Sequence, residues 1–377
     1  MEFDPTTEKQ RTVIDTHSLC GLGVTSHNEA QSKIHTHNFV GPSGKIYVGS
    51  MNAPVEKDDP SKYPGGYVMT YDPKTGVAEN LGMPYPGIGV LDVVADEGRG
   101  IIYVVPSRNP SPWMLYDMNI RAYRELGPNL IIWSTTLIDR RGYANALTEN
   151  FELARYDPGS GEIVVRSINV GGKKLRKPDP PVEWVPKWKL AKDRRTAYLI
   201  HLQDATLYAI DLLSEGDVVQ AKDQGKLIDG RDVDIRSPLS IDSEGRAYTV
   251  IRIDNETGFG EGMLHHLVRF DPQSEKMEDL GVLAVKNPGF YFDSPDAKLG
   301  HPVFGSAEDP SYYGYHKLPD GTLTPLHTCH AVCVTRDGTI YVTILYPFTL
   351  LKIEGVTEKG KRTSNIELGI PAGLSGI

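Results

Sequence analysis

Short runs in which apolar and polar residues alternate fill almost the whole chain, broken by Asp-Gly, Pro-Gly and Gly-Gly pairs. Alternation with a period of two puts successive side chains on opposite faces of a strand, and helical spacing at three and four is scarce. The pattern predicts short antiparallel strands joined by tight turns. Its most informative stretch runs from Lys33 to Ser50 and reads as two strands joined by Pro42-Ser43-Gly44. The first strand carries His35 and His37, which on a regular strand share a face.

The second half of that stretch recurs. Gly44-Lys45-Ile46-Tyr47-Val48 is echoed by Gly100-Ile101-Ile102-Tyr103-Val104, Arg141-Gly142-Tyr143-Ala144, Arg195-Thr196-Ala197-Tyr198-Leu199, Gly245-Arg246-Ala247-Tyr248-Thr249 and Gly338-Thr339-Ile340-Tyr341-Val342. The interval from Tyr248 to Tyr341 is about twice the usual one, and a degenerate copy fits around His301-Pro302-Val303-Phe304-Gly305, which makes seven. Two further elements follow the copies. One is an Asp-Pro turn, clearest at Tyr71-Asp72-Pro73 and Tyr156-Asp157-Pro158; the other is a Leu-Gly pair, as at Leu81-Gly82 and Leu280-Gly281. Pro presets φ for a tight turn and the Asp carboxylate accepts a backbone N–H.

Four antiparallel strands repeated every ~50 residues make a propeller blade. The expected fold is therefore an all-β, seven-bladed β-propeller of four-stranded antiparallel blades, one domain over residues 1–377. A terminal strand is expected to close the ring. Residues 12–24, ending in Cys20-Gly21-Leu22-Gly23, are assigned that place; Ile366-Glu367-Leu368-Gly369 competes for it, and 1–11 and 357–377 are read as tails.

Composition then narrows the function classes. A formal net charge of −9 argues against a nucleic-acid partner but leaves room for a local basic pocket. No apolar run approaches the ~18 residues needed to cross a bilayer, so no membrane partner is expected. Three cysteines, Cys20, Cys329 and Cys333, are too few for a disulfide framework and read as free thiols. The first ten residues lack the basic and apolar regions of a secretory signal. The chain as written is expected in the cytoplasm, or in the periplasm or outside the cell if a signal has been removed, as a monomer or small homo-oligomer.

In a propeller the first strand of each blade lines a central channel, and ligands meet its mouth. The residues at those positions are His35 and His37, Asp92, Trp133, the Lys187-Trp188-Lys189 run, Arg236, and His327 with His330. Strands built only for packing would carry small apolar residues there. His35 and His37 could equally form a hydrogen-bonded pair that closes the channel. Arg236 and Lys189 could simply pair with Asp92 or Asp234, and Trp133 and Trp188 could be packing. His327 and His330, three apart, would face opposite ways on one strand. Read together, imidazoles from different blades could hold a divalent cation such as Mn²⁺, Zn²⁺ or Ca²⁺, with His301, His327 and His330 as ligands and Asp92 as an oxygen donor. Without metal, they could serve as acid and base near neutral pH. Arg236 and Lys189 would clamp a substrate carboxylate while Trp133 and Trp188 stack on sugar rings. That set suits β-elimination from a uronic acid, with a carbohydrate as the expected partner.

His37-Asn38 followed by Gly-Lys-Ile-Tyr-Val resembles the seven-bladed propeller polysaccharide lyases, and is similar to propeller rhamnosidases acting on rhamnose–glucuronate linkages. The resemblance implies catalytic histidines at the channel mouth with a tyrosine and an arginine, which on matching positions are His35, His37 and Arg236; His330 joins them as a candidate. No motif singles out the tyrosine. His327-x-x-His330 resembles part of the metal site of oligogalacturonate lyases. The virginiamycin-type lyase propellers suggest an allied reading, elimination or hydrolysis of a small glycoside or lactone. A non-catalytic propeller that binds a glycan or protein is the alternative from another class.

Overall fold

Among the described residues, the copies of the repeat lie in antiparallel meanders. The computed structural model describes residues 2–4, 6–7, 9–21, 31, 33–52, 63–177, 187–254, 263–284, 315–317, 322–325, 329–344, 349–356 and 365–369. The chain divides into two units, Met1–Lys177 with Asp211–Gln220, and Pro178–Ile210 with Ala221–Ile377.

In the first unit, strands Lys33–Ile34 and Phe39–Val40 both pair with Ile46–Met51, which leads on to Val68–Asp72 and Val77–Asn80. The next sheet runs Val90–Asp96, Ile101–Pro106, Met114–Asp117 and Ala122–Glu125, and the next Leu137–Ile138, Ala144–Leu147, Leu153–Tyr156 and Ile163–Val170. The plan repeats in Lys187–Leu190, Thr196–Ile200, Thr206–Asp211 and Val218–Lys226, then in the second unit with Ser240–Ile241, Ala247–Asp254, Met263–Asp271 and Lys276–Val282. Its last sheet is Cys329–Val334, Ile340–Ile344, Thr349–Glu354 and Asn365–Gly369, and a hairpin pairs Tyr315–Lys317 with Leu323–Pro325.

Alternation explains the core. Ile102 and Val104 face the previous sheet and pack with Tyr47, Val68, Val90 and Val93. Their neighbours Tyr103 and Val105 face the other way, onto Trp113, Ala144, Ala146 and Tyr156. The same division holds in the second unit, where Ala247 and Ile251 pack with Ile200 and Leu207, and Tyr248 and Val250 pack with Val332 and Val342. Burial on both faces is what the Ile-Tyr-Val element encodes.

Three sequence expectations change. The segment expected to close the ring is helix rather than strand where it is described: Thr16–Cys20 form a short helix, capped by the Asp15 side chain at the His17 N–H and ended by Gly21 at φ +69°. Asn365–Gly369 instead pairs with Thr349–Glu354, from Leu350 opposite Gly369 to Glu354 opposite Asn365, and fills the outer-strand place that the N-terminal segment was expected to take. The stretch read as the N-terminal tail forms a small hairpin, Glu2–Asp4 with Lys9–Arg11. The degenerate copy around His301 lies outside the described residues.

Gly49 sets how closely the first two sheets approach. A Cβ there would meet Val90 Cγ1 at 2.3 Å and Thr36 Cγ2 at 2.7 Å. Gly49→Ala is expected to cost about 1–3 kcal/mol through overpacking, read as a lower urea midpoint. Gly76 is the control. It sits at φ +73° with open space around its Cβ position, so Gly76→Ala carries backbone strain alone, about 1 kcal/mol. Equal losses for the two substitutions would sink the packing account.

Candidate functional site

In the first unit the run from Lys33 to Val40 is not the single strand expected. His35 N–H still donates to Gly49 O at 3.2 Å, but the Gly49 N–H goes to Thr36 Oγ1 at 2.9 Å. A side-chain hydroxyl has replaced a backbone carbonyl in the ladder, so the rule of two no longer places His35 and His37. His35 is half-buried, with its ring 4.7 Å from that of Trp133 at an interplanar angle of 46°. His37 is exposed.

Trp133 sits in a tight turn rather than a strand. Ser134 N–H donates to Ile131 O at 3.0 Å, and Trp133 has φ +65°, a left-handed conformation unusual for so bulky a residue. The turn is held on both sides. Leu147 N–H donates to Ser134 Oγ at 3.1 Å, Thr136 N–H donates to Asp92 Oδ2 at 2.9 Å, and Trp113 Nε1 donates to Thr136 Oγ1 at 3.2 Å. Asp92, expected to bind substrate or metal, is only 2% exposed and committed to this backbone contact. Its place is that of an anchor beneath Trp133.

The second unit holds the denser charge. Asp234 and Arg252 exchange both backbone hydrogen bonds, at 2.9 and 3.0 Å, which sets their side chains together. Arg252 Nη2 forms an ion pair with Asp234 Oδ2. Arg236 Nε donates to the same carboxylate, at 3.1 Å to Oδ2 and 3.3 Å to Oδ1. The expected pairing of Arg236 with Asp234 is therefore present. Burial holds the Arg252 guanidinium below its ordinary value, and its Nε is buried without a hydrogen-bond partner.

Lys187 opens the Lys187–Leu190 strand and is half-buried. Burial first, and repulsion from Arg236 second, push its ammonium down to about 8. Two guanidiniums thus share the Asp234 carboxylate, and Lys187 lies within reach of the charge of one of them, Arg236. Lys189, two positions on, is exposed, and Trp188 between them is buried and offers no open ring face.

Cys329 lies against this cluster. Ser237 Oγ donates to Cys329 O at 2.7 Å, and burial pushes the thiol up despite the opposing field of Arg252, so it is no thiolate nucleophile. His330 follows on the same strand and is exposed. Among the described residues no three His, Cys, Asp or Glu side chains are grouped to hold a metal ion; His301 and His327 lie outside those residues. Arg252, which no motif singled out, could have been found only by its register opposite Asp234.

No family model matches the chain, and no curated protein matches it in sequence. Solved structures do. The chain is similar to a catalytically inactive histidine-to-alanine variant of virginiamycin B lyase from Staphylococcus aureus, solved with quinupristin: 12% identity, 92% of this chain and 86% of that one, TM-score 0.53. The fold is that of a β-propeller. A Bacteroides thetaiotaomicron protein of unknown function (11% identity, 82% and 67% covered, TM-score 0.42) and TolB from Acinetobacter baumannii (11%, 62% and 50%, 0.40) align too loosely to argue from. At such identities the likeness carries fold and nothing finer.

The Lys187 environment gives a pH signature. Its folded value of about 8 lies below the ordinary 10.5, so between these pH values the unfolded chain binds more protons and stability rises with pH. Below about 8 the penalty of a charged, buried Lys187 is fully present. Lys187→Met is expected to be more stable than the parent at pH 7, with the gap closing towards pH 10.5, by urea unfolding at each pH. A gap that does not vary with pH would contradict this.

Proposed function

We propose that this propeller is a lyase that cleaves uronic-acid-containing oligo- or polysaccharides by β-elimination, on seven blades as the repeat suggests. The observation that carries the reading is that Arg236 and Arg252 share the Asp234 carboxylate while Lys187 feels the charge of Arg236. A uronate carboxylate entering there meets the two guanidiniums, which neutralise it and so acidify the adjacent C–H. Lys187, neutral in a usable fraction near pH 8, removes that proton. The electron pair of the C–H bond becomes the new C=C bond, and the bond from the β-carbon to the glycosidic oxygen breaks. The ammonium formed on Lys187 then returns the proton to the leaving oxygen, so atoms and charge balance. Virginiamycin B lyase shares the fold, but the reading rests on the site's own chemistry.

The test is incubation of the full chain with pectic, ulvan and gum-type glycans, following the ultraviolet absorbance of an unsaturated uronate. Activity is expected to rise with pH through about 8. Lys187→Ala should lower kcat by roughly 10²–10⁴-fold while glycan binding persists. Arg236→Ala should lower kcat/KM by at least about 10-fold. A folded chain that binds one of these glycans without producing absorbance would be a binding module instead.

A further inference from the structure

The four strands from Leu137–Ile138 to Ile163–Val170 have one face that departs from the rest of the core. Ala144, Ala146, Ala154 and Tyr156 pack on the apolar side. The opposite face presents Asn145, Arg155 and Arg166: Asn145 lies across from Arg155, and Arg155 across from Val164, two positions before Arg166. Residues at those offsets share a face, so the two guanidiniums are diagonal neighbours.

Their hydrogen-bond and ring partners are all neutral. Arg155 Nε donates to Asn145 Oδ1 at 3.4 Å, its Nη2 donates to Leu212 O, and its guanidinium lies 5.6 Å from the centre of the Tyr143 ring. Arg166 Nη1 donates to Ser214 O at 2.7 Å and Gly216 O at 3.2 Å. Arg166 is only 8% exposed, and its Nη2 is buried with no hydrogen-bond partner. The nearby carboxylate of Asp139 is already used by the N–H groups of Arg141, Tyr143 and Asn145 Nδ2. Glu215 is exposed and sits 3.4 Å from Arg141 instead. Burial holds both Arg155 and Arg166 below their ordinary values; Arg155 is lowered further by Arg166, and the field of Asp139 offsets this only in part. Arginine cannot shed its proton to escape such a site, so it needs a counter-charge.

We infer that Arg155 and Arg166 form a binding site for a small oxyanion, with Arg141 at its solvent side. The carbonyl oxygens of Leu212, Ser214 and Gly216 stand where the anion's oxygens would stand, and an arriving anion replaces some of them and takes up Arg166 Nη2. This site is independent of the elimination chemistry assigned to Lys187 and Arg236.

The experiment titrates the full chain with inorganic phosphate, sulfate or acetate against potassium chloride at matched ionic strength, reading Tm, with phosphorus NMR line width as a direct measure of binding. A saturable rise in Tm with an oxyanion and not with chloride is expected. The arms show whether tetrahedral or planar oxyanions are taken. Arg166→Gln and Arg155→Gln should each weaken the effect about 10-fold or more, while Gln at the outer Arg141 weakens it less. Chloride matching the oxyanions, or Arg166→Gln saturating like the parent, would overturn the proposal. Should either variant fail to fold, the unmodified chain decides: phosphate broadening that is saturable and reversed by sulfate supports the site, and its absence refutes it.

Discussion

Aspartates that bind their own turns hold the register on which every other contact depends. At the turns leading into the outer strands, Asp72 accepts the Lys74 N–H at 2.9 Å, Asp117 that of Asn119 at 2.8 Å, Asp157 that of Gly159 at 2.8 Å and Asp271 that of Gln273 at 2.9 Å. At the turns between first and second strands the same bond recurs, from Arg141 to Asp139, Arg195 to Asp193, Glu244 to Asp242 and Thr339 to Asp337. These N–H groups are the main reason the carboxyls of Asp72, Asp157 and Asp271 titrate below the usual range. A slip of one residue in any sheet would turn its apolar side chains to the wrong face. Because the second strands, which carry the Ile-Tyr-Val element, are largely buried on both faces, they have no tolerant side on which such a slip could be absorbed.

Fixed register is also what makes the charge clusters possible. Arg252 meets Asp234 because the two are directly paired, and Arg155 neighbours Arg166 because the sheet sets them one diagonal apart. Neither arrangement needs a motif in the usual sense. Each needs only two strands whose pairing the turns have already decided.

That distinction explains what could be read from the chain. The repeated Gly-x-Ile-Tyr-Val element and the Asp turns are local, periodic and redundant, so the meanders were legible from the residues. His35 and His37 were harder, because Thr36 supplies its hydroxyl to the Gly49 N–H and so interrupts the strand that the alternation implied. Lys187 and Lys189 could not be told apart for a related reason: both fall on the same strand, and only the surrounding structure buries the one at its start. Trp133 read as part of a strand because nothing in Ile132-Trp133-Ser134 announces a left-handed turn; glycine would have. Arg252, Arg155 and Arg166 were invisible, since the long-range pairing that gives them meaning is absent from any local window.

The two clusters also show why the choice between lysine and arginine matters in a buried setting. Burial penalises the charged form of either side chain. Lysine relieves the penalty by releasing its proton, which is why burial, and after it Arg236, bring Lys187 down to about 8. Arginine has no such exit, so the cost of desolvating Arg252 and Arg166 persists until a negative group arrives. Asp234 supplies that group for Arg252 in part, and only neutral carbonyls do so for Arg166. A lysine among arginines therefore marks a place where protons move. Arginines that meet only carbonyl oxygens mark a place where an anion is held.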